Sequence, residues 1–293
     1  DIDAYAMTAA SIDEAVRNAV CVGVDLDKIA GLDNFCWPDP IESEKTPDGR
    51  FKLAQLVRSN RALDDVCRAY NLPCISGKDS MKNDAKLDGQ KISIPPTLLY
   101  TVLGDHQDVR KAVSSDFKDC GDTIFLLGET HQELGASELS YMLSEETGGG
   151  IGNDVPQIDT TRNLALYRAL TSAMSEGLVR SAHDCSDGGL AAAIAECCFG
   201  CDGGTTISLD GIEGVDNWAA LFGESLGRIV VTVSPENVQR FGTIMAKHSV
   251  TKLGQVDDKD TLEFTRDQNT ILSSNLSDLL QAWKGTLHMG GEA

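Results

Sequence analysis

Residues 182–196 read AHDCSDGGLAAAIAE, a polar turn closed by two glycines between an apolar strand-like stretch and a run of small apolar residues. Val179 to Ala182 supplies the strand, and LAAAIAECCF, 190–199, supplies a helix with small side chains. Gly188 and Gly189 let backbone N–H groups come close to an anion, and a helix N-terminus behind them favours negative charge. In that setting Asp184 is suited to ligate a cation and Ser186 to bond a phosphate or sugar. The same letters also describe a plain capped turn, with Ser186 or Asp187 as the helix cap.

Two other segments carry chemistry. SIDEAVRN, 11–18, lies in a predicted helix over 8–22, with Thr8 or Ser11 as candidate caps. Glu14 and Asn18 are four apart, so their oxygens leave the helix on one face and suit Mg²⁺, which prefers oxygen ligands. A solvated helix face has the same look. ISGKDSMKND, 75–84, follows the short strand Leu72–Ile75 and places Gly77 and Lys78 where an anion could sit, with Asp79 and Ser80 beyond. It lacks P-loop spacing, and its alternative reading is a polar turn.

The rest of the chain fixes the class. A short strand over 28–32 runs into a loop over 33–40, and a helix over 51–70 has Leu53, Leu56, Val57, Leu63, Val66 and Tyr70 on one side. Further strands are expected over 92–104, 124–128 and 229–233, and helices over 159–177, 236–247 and 276–284. This interleaving predicts an α/β or α+β layered fold. A boundary near 110–121 predicts two domains, 1–110 and 118–293, the second α/β.

Composition narrows the function classes. In 293 residues, 41% are apolar and the formal net charge is −20, which excludes sequence-independent nucleic-acid binding because a polyanion is repelled. A phosphorylated small molecule stays compatible, since Mg²⁺ bridges carboxylates and phosphates. The nine cysteines are scattered and odd in number, which predicts reduced thiols, and Cys197, Cys198 and Cys201 have no second pair at zinc spacing. No apolar run is long enough for a bilayer, so no membrane and a cytoplasmic location are expected. The opening at Asp1, without Met, reads as a piece of a longer chain.

Taken in order, SIDEAVRN, LDNFCW (32–37), ISGKDSMKND, AHDCSDGGLAAAIAE and LFGESLGR (221–228) resemble the second of two tandem repeats in formylglycinamide ribonucleotide amidotransferase. The match covers essentially the whole chain and is loosest over 130–160 and 236–293. Related architectures are aminoimidazole ribonucleotide synthetase, selenophosphate synthetase and hydrogenase-maturation proteins, which bind ATP through acids and Mg²⁺ instead of a P-loop. The resemblance implies a partial synthetase-like N-terminal domain followed by a C-terminal α/β domain. It implies an ATP-dependent ligase of purine biosynthesis, with formylglycinamide ribonucleotide, ATP and glutamine-derived ammonia as reactants.

Carried over by position, Glu14, Asn18 and Asp184 match Mg²⁺ ligands and Ser186 a nucleotide-contacting serine of a site that holds ADP tightly in long members. Asp33, Gly77 and Lys78 match positions lent to the nucleotide side of the true active site, and Ser80 one on the substrate side. Lys78 departs from the asparagine of short members, and a charged lysine neutralises phosphate instead of ligating Mg²⁺. The catalytic histidine belongs to the first repeat, and none of His106, His131, His183, His248 or His288 stands in its context. The implied partners are the N-terminal half of the same enzyme, a separate glutaminase subunit and, for an uncovered sheet, a second copy of this chain.

Overall fold

The computed structural model describes residues 2–201 and 203–285, so His288 and the rest of 286–293 lie outside the described residues. Helix α1 (Ala4–Cys21) starts four residues before Thr8, the first hydroxyl read as its cap. Asp3 accepts from the N–H groups of Tyr5 and Ala6, while Thr8 and Ser11 sit inside the helix and bond back to Ala4 and Met7 carbonyls.

Strand β1 (Ile29–Cys36) runs straight through Asp33 and Asn34, which the sequence had placed in a loop. Their low strand preference is overridden because β1 is the central strand and is paired on both sides. Helix α2 (Gly49–Ala69) follows, with Val66 buried but Leu53 and Val57 exposed, so the packed side is rotated from the predicted one. Strand β2 (Cys74–Ser80) contains Ser76 to Ser80 itself, so the polar segment is an edge strand and not a turn. A hairpin of β3 (Asp84–Leu87) and β4 (Gln90–Ser93) leads to β5 (Thr97–Gly104). The first sheet has the order β2-β1-β5, parallel on one side of β1 and antiparallel on the other.

The second sheet begins with β6 (Thr123–Leu127), followed by α3 (Glu138–Thr147), α4 (Thr160–Ser175), β7 (Val179–Asp184), α5 (Gly189–Cys198) and β8 (Thr205–Ser208). Then come α6 (Asn217–Phe222), β9 (Ile229–Val233), α7 (Val238–Met245), β10 (Val250–Val256), β11 (Thr261–Arg266), β12 (Asn269–Asn275) and α8 (Leu276–Gly285). Its seven strands have the order β12-β11-β8-β10-β6-β9-β7. Strands β6 and β9 are buried at every position because both faces are covered. Phe125, Leu127, Ile229 and Val231 point into one core, with α1, α2 and α4, while Ile124, Leu126 and Val230 point into another, with α5.

The two sheets share no strand, yet the first core crosses between them. Ile12, Val16 and Val20 of α1 are fully buried in it together with Tyr167 of α4 and Ile229 of β9. Among the described residues, helices cover one face of the first sheet and leave the other open. Phe35 and Tyr100 are buried there, whereas Leu99 and Leu103 of β5 are 61% and 54% exposed. This mixed, layered α/β architecture agrees with the class read from the sequence.

Candidate nucleotide site between α1 and the 184–188 turn

The seam between α1 and the end of β7 is organised by a buried ion pair. Asp13 is fully buried and accepts bonds from Arg17, Tyr70, Tyr167 at 2.9 Å and Asn163 at 3.1 Å. Those partners come from α1, α4 and the residue closing α2. Burial works against the Arg17 charge, but Asp13 outweighs it and keeps the guanidinium firmly protonated. Arg17 then reaches out of α1, donating to the Cys185 carbonyl at 3.3 Å and to Ser186 Oγ at 3.0 Å. Sequence reading missed this pair. Its signal was present: Asp13 and Arg17 are four apart and directly follow Ile12 and Val16 on the apolar stripe.

At the end of β7, Ser186 Oγ donates to Asp184 Oδ2 at 2.5 Å. His183 lies alongside, its Nε2 2.8 Å from Glu196 and its Nδ1 2.8 Å from the Asp184 carbonyl. Burial opposes both charges. Bonds to Asp184 and Glu196 nevertheless push His183 up to about 10, and His183, Arg17 and Ser186 together hold Asp184 down at about 2. Asp184 is therefore a carboxylate at any ordinary pH, although only 7% exposed.

Neither Ser186 nor Asp187 caps α5. The cap is Gly188 at φ +75°, without a side-chain bond, and Gly189 follows at φ +66°. A Cβ on Gly189 would lie 2.5 Å from the Gly223 carbonyl oxygen, so both the backbone conformation and the close approach require glycine. The Gly188 N–H is taken by Glu224 Oε1 at 2.9 Å, and the same oxygen accepts the Glu138 N–H at the start of α3, also at 2.9 Å. One carboxylate thus satisfies the N-termini of two helices. Glu224, in the LFGESLGR block, was not singled out from sequence because its partners lie 36 and 86 residues away.

Glu14, Arg17, Ser186, Asp187 and Glu224 face one cleft of about 390 Å³, with Ala136, Val155, Pro156 and Leu226 among its apolar walls. Glu14 keeps an exposed side, yet burial raises its carboxyl above the usual range, and the Asp187 and Asp184 charges add to this against Arg17. The structure therefore brings Glu14, Asp184 and Ser186 into one electrostatic neighbourhood. Asn18, one turn along α1, opens with Glu14 on an adjoining cleft beside β5 and is not among the residues lining the first.

These donors are oxygens, and their mutual repulsion is what a hard cation relieves, so the set is chemically suited to Mg²⁺. Among the described residues, no three acidic, His or Cys side chains converge tightly enough to hold a metal by themselves. A cation here would need oxygens from a ligand as well.

The second group of sequence-selected residues is split by the first sheet. Asp33 pairs in register with Gly77, and its carboxylate lies against the Gly77 backbone, where a Cβ would meet Oδ1 at 3.0 Å. Both belong to the helix-covered face, with Phe35 and Tyr100. Burial raises the Asp33 carboxyl, its own backbone amide works against that, and Asp79 raises it further. Lys78 and Ser80 alternate onto the opposite, open face and bond each other, Nζ to Oγ. Asp33 and Gly77 therefore do not share a surface with Lys78 and Ser80.

The layered α/β fold is that of the aminoimidazole ribonucleotide synthase-like class of proteins. Residues 120–267, half of the chain, match the family described as AIR synthase related protein, C-terminal domain, and the chain belongs to that family. Its fold is similar to that of phosphoribosylformylglycinamidine synthase II from Thermotoga maritima, with TM-score 0.70 and 17% identity over 94% of this chain and 41% of that one. For the T. maritima PurL complexed with FGAR the values are 0.72 and 18%, over 95% and 43%. The hydrogenase maturation protein HypE in complex with ATP gives 0.61 and 12%, over 92% and 79%. This chain spans about two fifths of the length of the PurL chains it matches. Among the described residues, no helix is long and apolar enough to cross a membrane.

Proposed function

We propose that this chain is the C-terminal half of the synthetase region of an ATP-dependent ligase of purine biosynthesis. The whole enzyme would convert formylglycinamide ribonucleotide and glutamine-derived ammonia to formylglycinamidine ribonucleotide, with ADP and phosphate released. The observation that carries the reading is the cleft faced by Glu14 and Ser186 between α1 and the 184–188 turn, with the Asp184 carboxylate bonded to Ser186 just behind its wall and felt by Glu14. Solved PurL structures from T. maritima are complexes with ATP, ADP and FGAR, and a PurLQS assembly from the same organism supports the expectation of partner subunits.

In this reading Mg²⁺ sits among Glu14, Asp184 and, from the adjoining cleft, Asn18, and it neutralises the phosphates of an adenine nucleotide. Ser186, held by Arg17 and Asp184, orients toward the nucleotide, and the apolar wall of the cleft excludes water from it. Asp33, Gly77, Lys78 and Ser80 belong to a separate surface that completes the active site with the N-terminal half. There Lys78 faces phosphate and Ser80 the substrate. The open face of the first sheet, with Leu99 and Leu103, takes the sheet of that half or of a second copy. The domain division at 110–118 belongs to the same reading, as does a cytoplasmic location.

A non-catalytic, nucleotide-stabilised module is the alternative. It is favoured by the Gly188 N–H, which is already bonded to Glu224 and so is not offered to a reacting phosphate. Calorimetric melting tests the site: ADP with Mg²⁺ should raise Tm, and EDTA or Asp184→Asn should remove the rise. Equal rises under all three conditions sink the metal-bridged site. Lys78→Ala and Ser80→Ala in the whole enzyme separate the two readings, since a purely structural module leaves turnover unchanged.

A further inference from the structure

Cys67, in the last turn of α2, and Cys74, the first residue of β2, bring their Sγ atoms to 3.8 Å. Both approach the Tyr100 hydroxyl, at 3.2 and 3.4 Å. The segment between them is a tight turn. The Leu72 N–H donates to the Cys67 carbonyl at 2.8 Å, and Asn71 takes φ +52°, so the backbone itself holds the thiols opposite each other. Cys74 is exposed, and Cys67, although 9% exposed, shares with it a groove of about 880 Å³ between the end of α2 and the start of β2.

We propose that Cys67 and Cys74 form a reversible dithiol–disulfide site, oxidised through this groove by peroxide or by exchange with a small-molecule disulfide. A disulfide needs about 2.05 Å between sulfurs, and rotation of the exposed Cys74 side chain supplies the closure. With peroxide, the Cys74 thiolate attacks the O–O bond and becomes a sulfenic acid, releasing hydroxide. The Cys67 sulfur then displaces the sulfenic hydroxyl, and its proton leaves with that hydroxyl as water. In sum, two thiols and one peroxide give one disulfide and two waters, with two electrons passing from the sulfurs to the peroxide oxygens. With a small-molecule disulfide, a mixed disulfide on Cys74 is resolved by Cys67 and two small thiols are released. The order of attack follows from access and from burial, which pushes the Cys67 thiol up to about 12.

The bond has a structural address. Among the described residues strand β2 is an edge strand that pairs with β1 alone, and it carries Gly77, Lys78 and Ser80. Oxidation fastens its first residue to α2. The inference stands apart from the proposed reaction, because it uses no group of the cleft at Ser186.

The test treats the full chain with hydrogen peroxide, quenches in acid and reads intact mass, peptide map and titratable thiols. The expected product is two hydrogens lighter, contains a Cys67–Cys74 cross-linked peptide, has two fewer titratable thiols, and reverts with dithiothreitol. Cys74→Ser, at an exposed position, should abolish the mass loss. Cys67→Ser should leave Cys74 to gain oxygen. Sulfinic acid on Cys74 beside an intact Cys67 thiol in the unmodified chain overturns the proposal. So does a bridge from Cys74 to Cys36 or Cys120, or a Cys67 bridge that persists in Cys74→Ser.

Discussion

Replacing Asp13 by asparagine probes what joins the two layers. The carboxylate is fully buried and is the charge in direct contact with Arg17, with Asp184 acting on the guanidinium from farther off. Asparagine keeps an oxygen where Tyr70 and Tyr167 donate but removes the negative charge beside a guanidinium that is itself 1% exposed. Removing one partner of a buried pair costs about 3–5 kcal/mol, because the remaining charge stays desolvated. We take about 3 kcal/mol for Asp13→Asn, where the hydrogen-bond acceptor survives. Asp13→Ala also strands the donors of Tyr70, Tyr167 and Asn163, and we take about 5 kcal/mol for it, below the sum of about 1–3 kcal/mol per orphaned group because such losses are not additive. At roughly 2–4 °C per kcal/mol for chains near this size, Asp13→Asn should lower Tm by about 6–12 °C. Urea unfolding followed by circular dichroism measures the free energy directly. The double variant Asp13→Asn/Arg17→Gln should lose clearly less than the sum of the single losses. A loss under about 1 kcal/mol for Asp13→Asn, or additivity within about 0.5 kcal/mol, refutes the argument.

Beside the loss of the nucleotide-dependent Tm rise in Asp184→Asn and of turnover in Lys78→Ala and Ser80→Ala, the geometry predicts two more outcomes. His183 is raised from its ordinary value to about 10, so its stabilisation is complete below about pH 6.5 and fades as pH rises through 10. Metal-free protein should therefore lose stability across that window, by at most roughly 1.4 kcal/mol per pH unit, and His183→Gln should flatten the slope. An unchanged slope in the variant argues against a charged His183. The open face of the first sheet predicts a homodimer for the isolated chain, and Leu99→Asp with Leu103→Asp should give a monomer in sedimentation velocity. A parent chain that sediments as a monomer at high concentration removes that expectation.

What the sequence made legible followed from local order. The strands β6 and β9 and the helices α1, α4 and α5 announce themselves by apolar runs and helical spacing, because their burial is continuous along the chain. The turn at 184–189 was placed correctly between strand and helix for the same reason. Illegible features depend on partners far along the chain. Asp33 and Asn34 look like loop residues until β2 and β5 pair on either side of them. Glu14 and Asn18 drew attention as a carboxylate and an amide four apart, while the equally spaced Asp13 and Arg17 beside them proved to be the buried pair. Their place beside Ile12 and Val16 on the apolar stripe is the local mark of the buried face, and Tyr70, Asn163 and Tyr167, far along the chain, supply its partners. Gly77 and Lys78 are adjacent letters, yet strand alternation sends them to opposite sides of the sheet.

Glu224 gives the ends of α3 and α5 a resident counter-ion. A side chain tethered in place competes at a local concentration that a freely diffusing anion rarely reaches. Bare phosphate arriving at those amides meets a seat already filled, and it also meets the repulsion of Asp187 and Glu14. A phosphate that travels with its own divalent cation is received differently, since the cation converts those same acids from a barrier into a binding surface. On the proposed reading the pocket would favour a cation-paired phosphate over a bare one, a discrimination built from the protein's own negative charge.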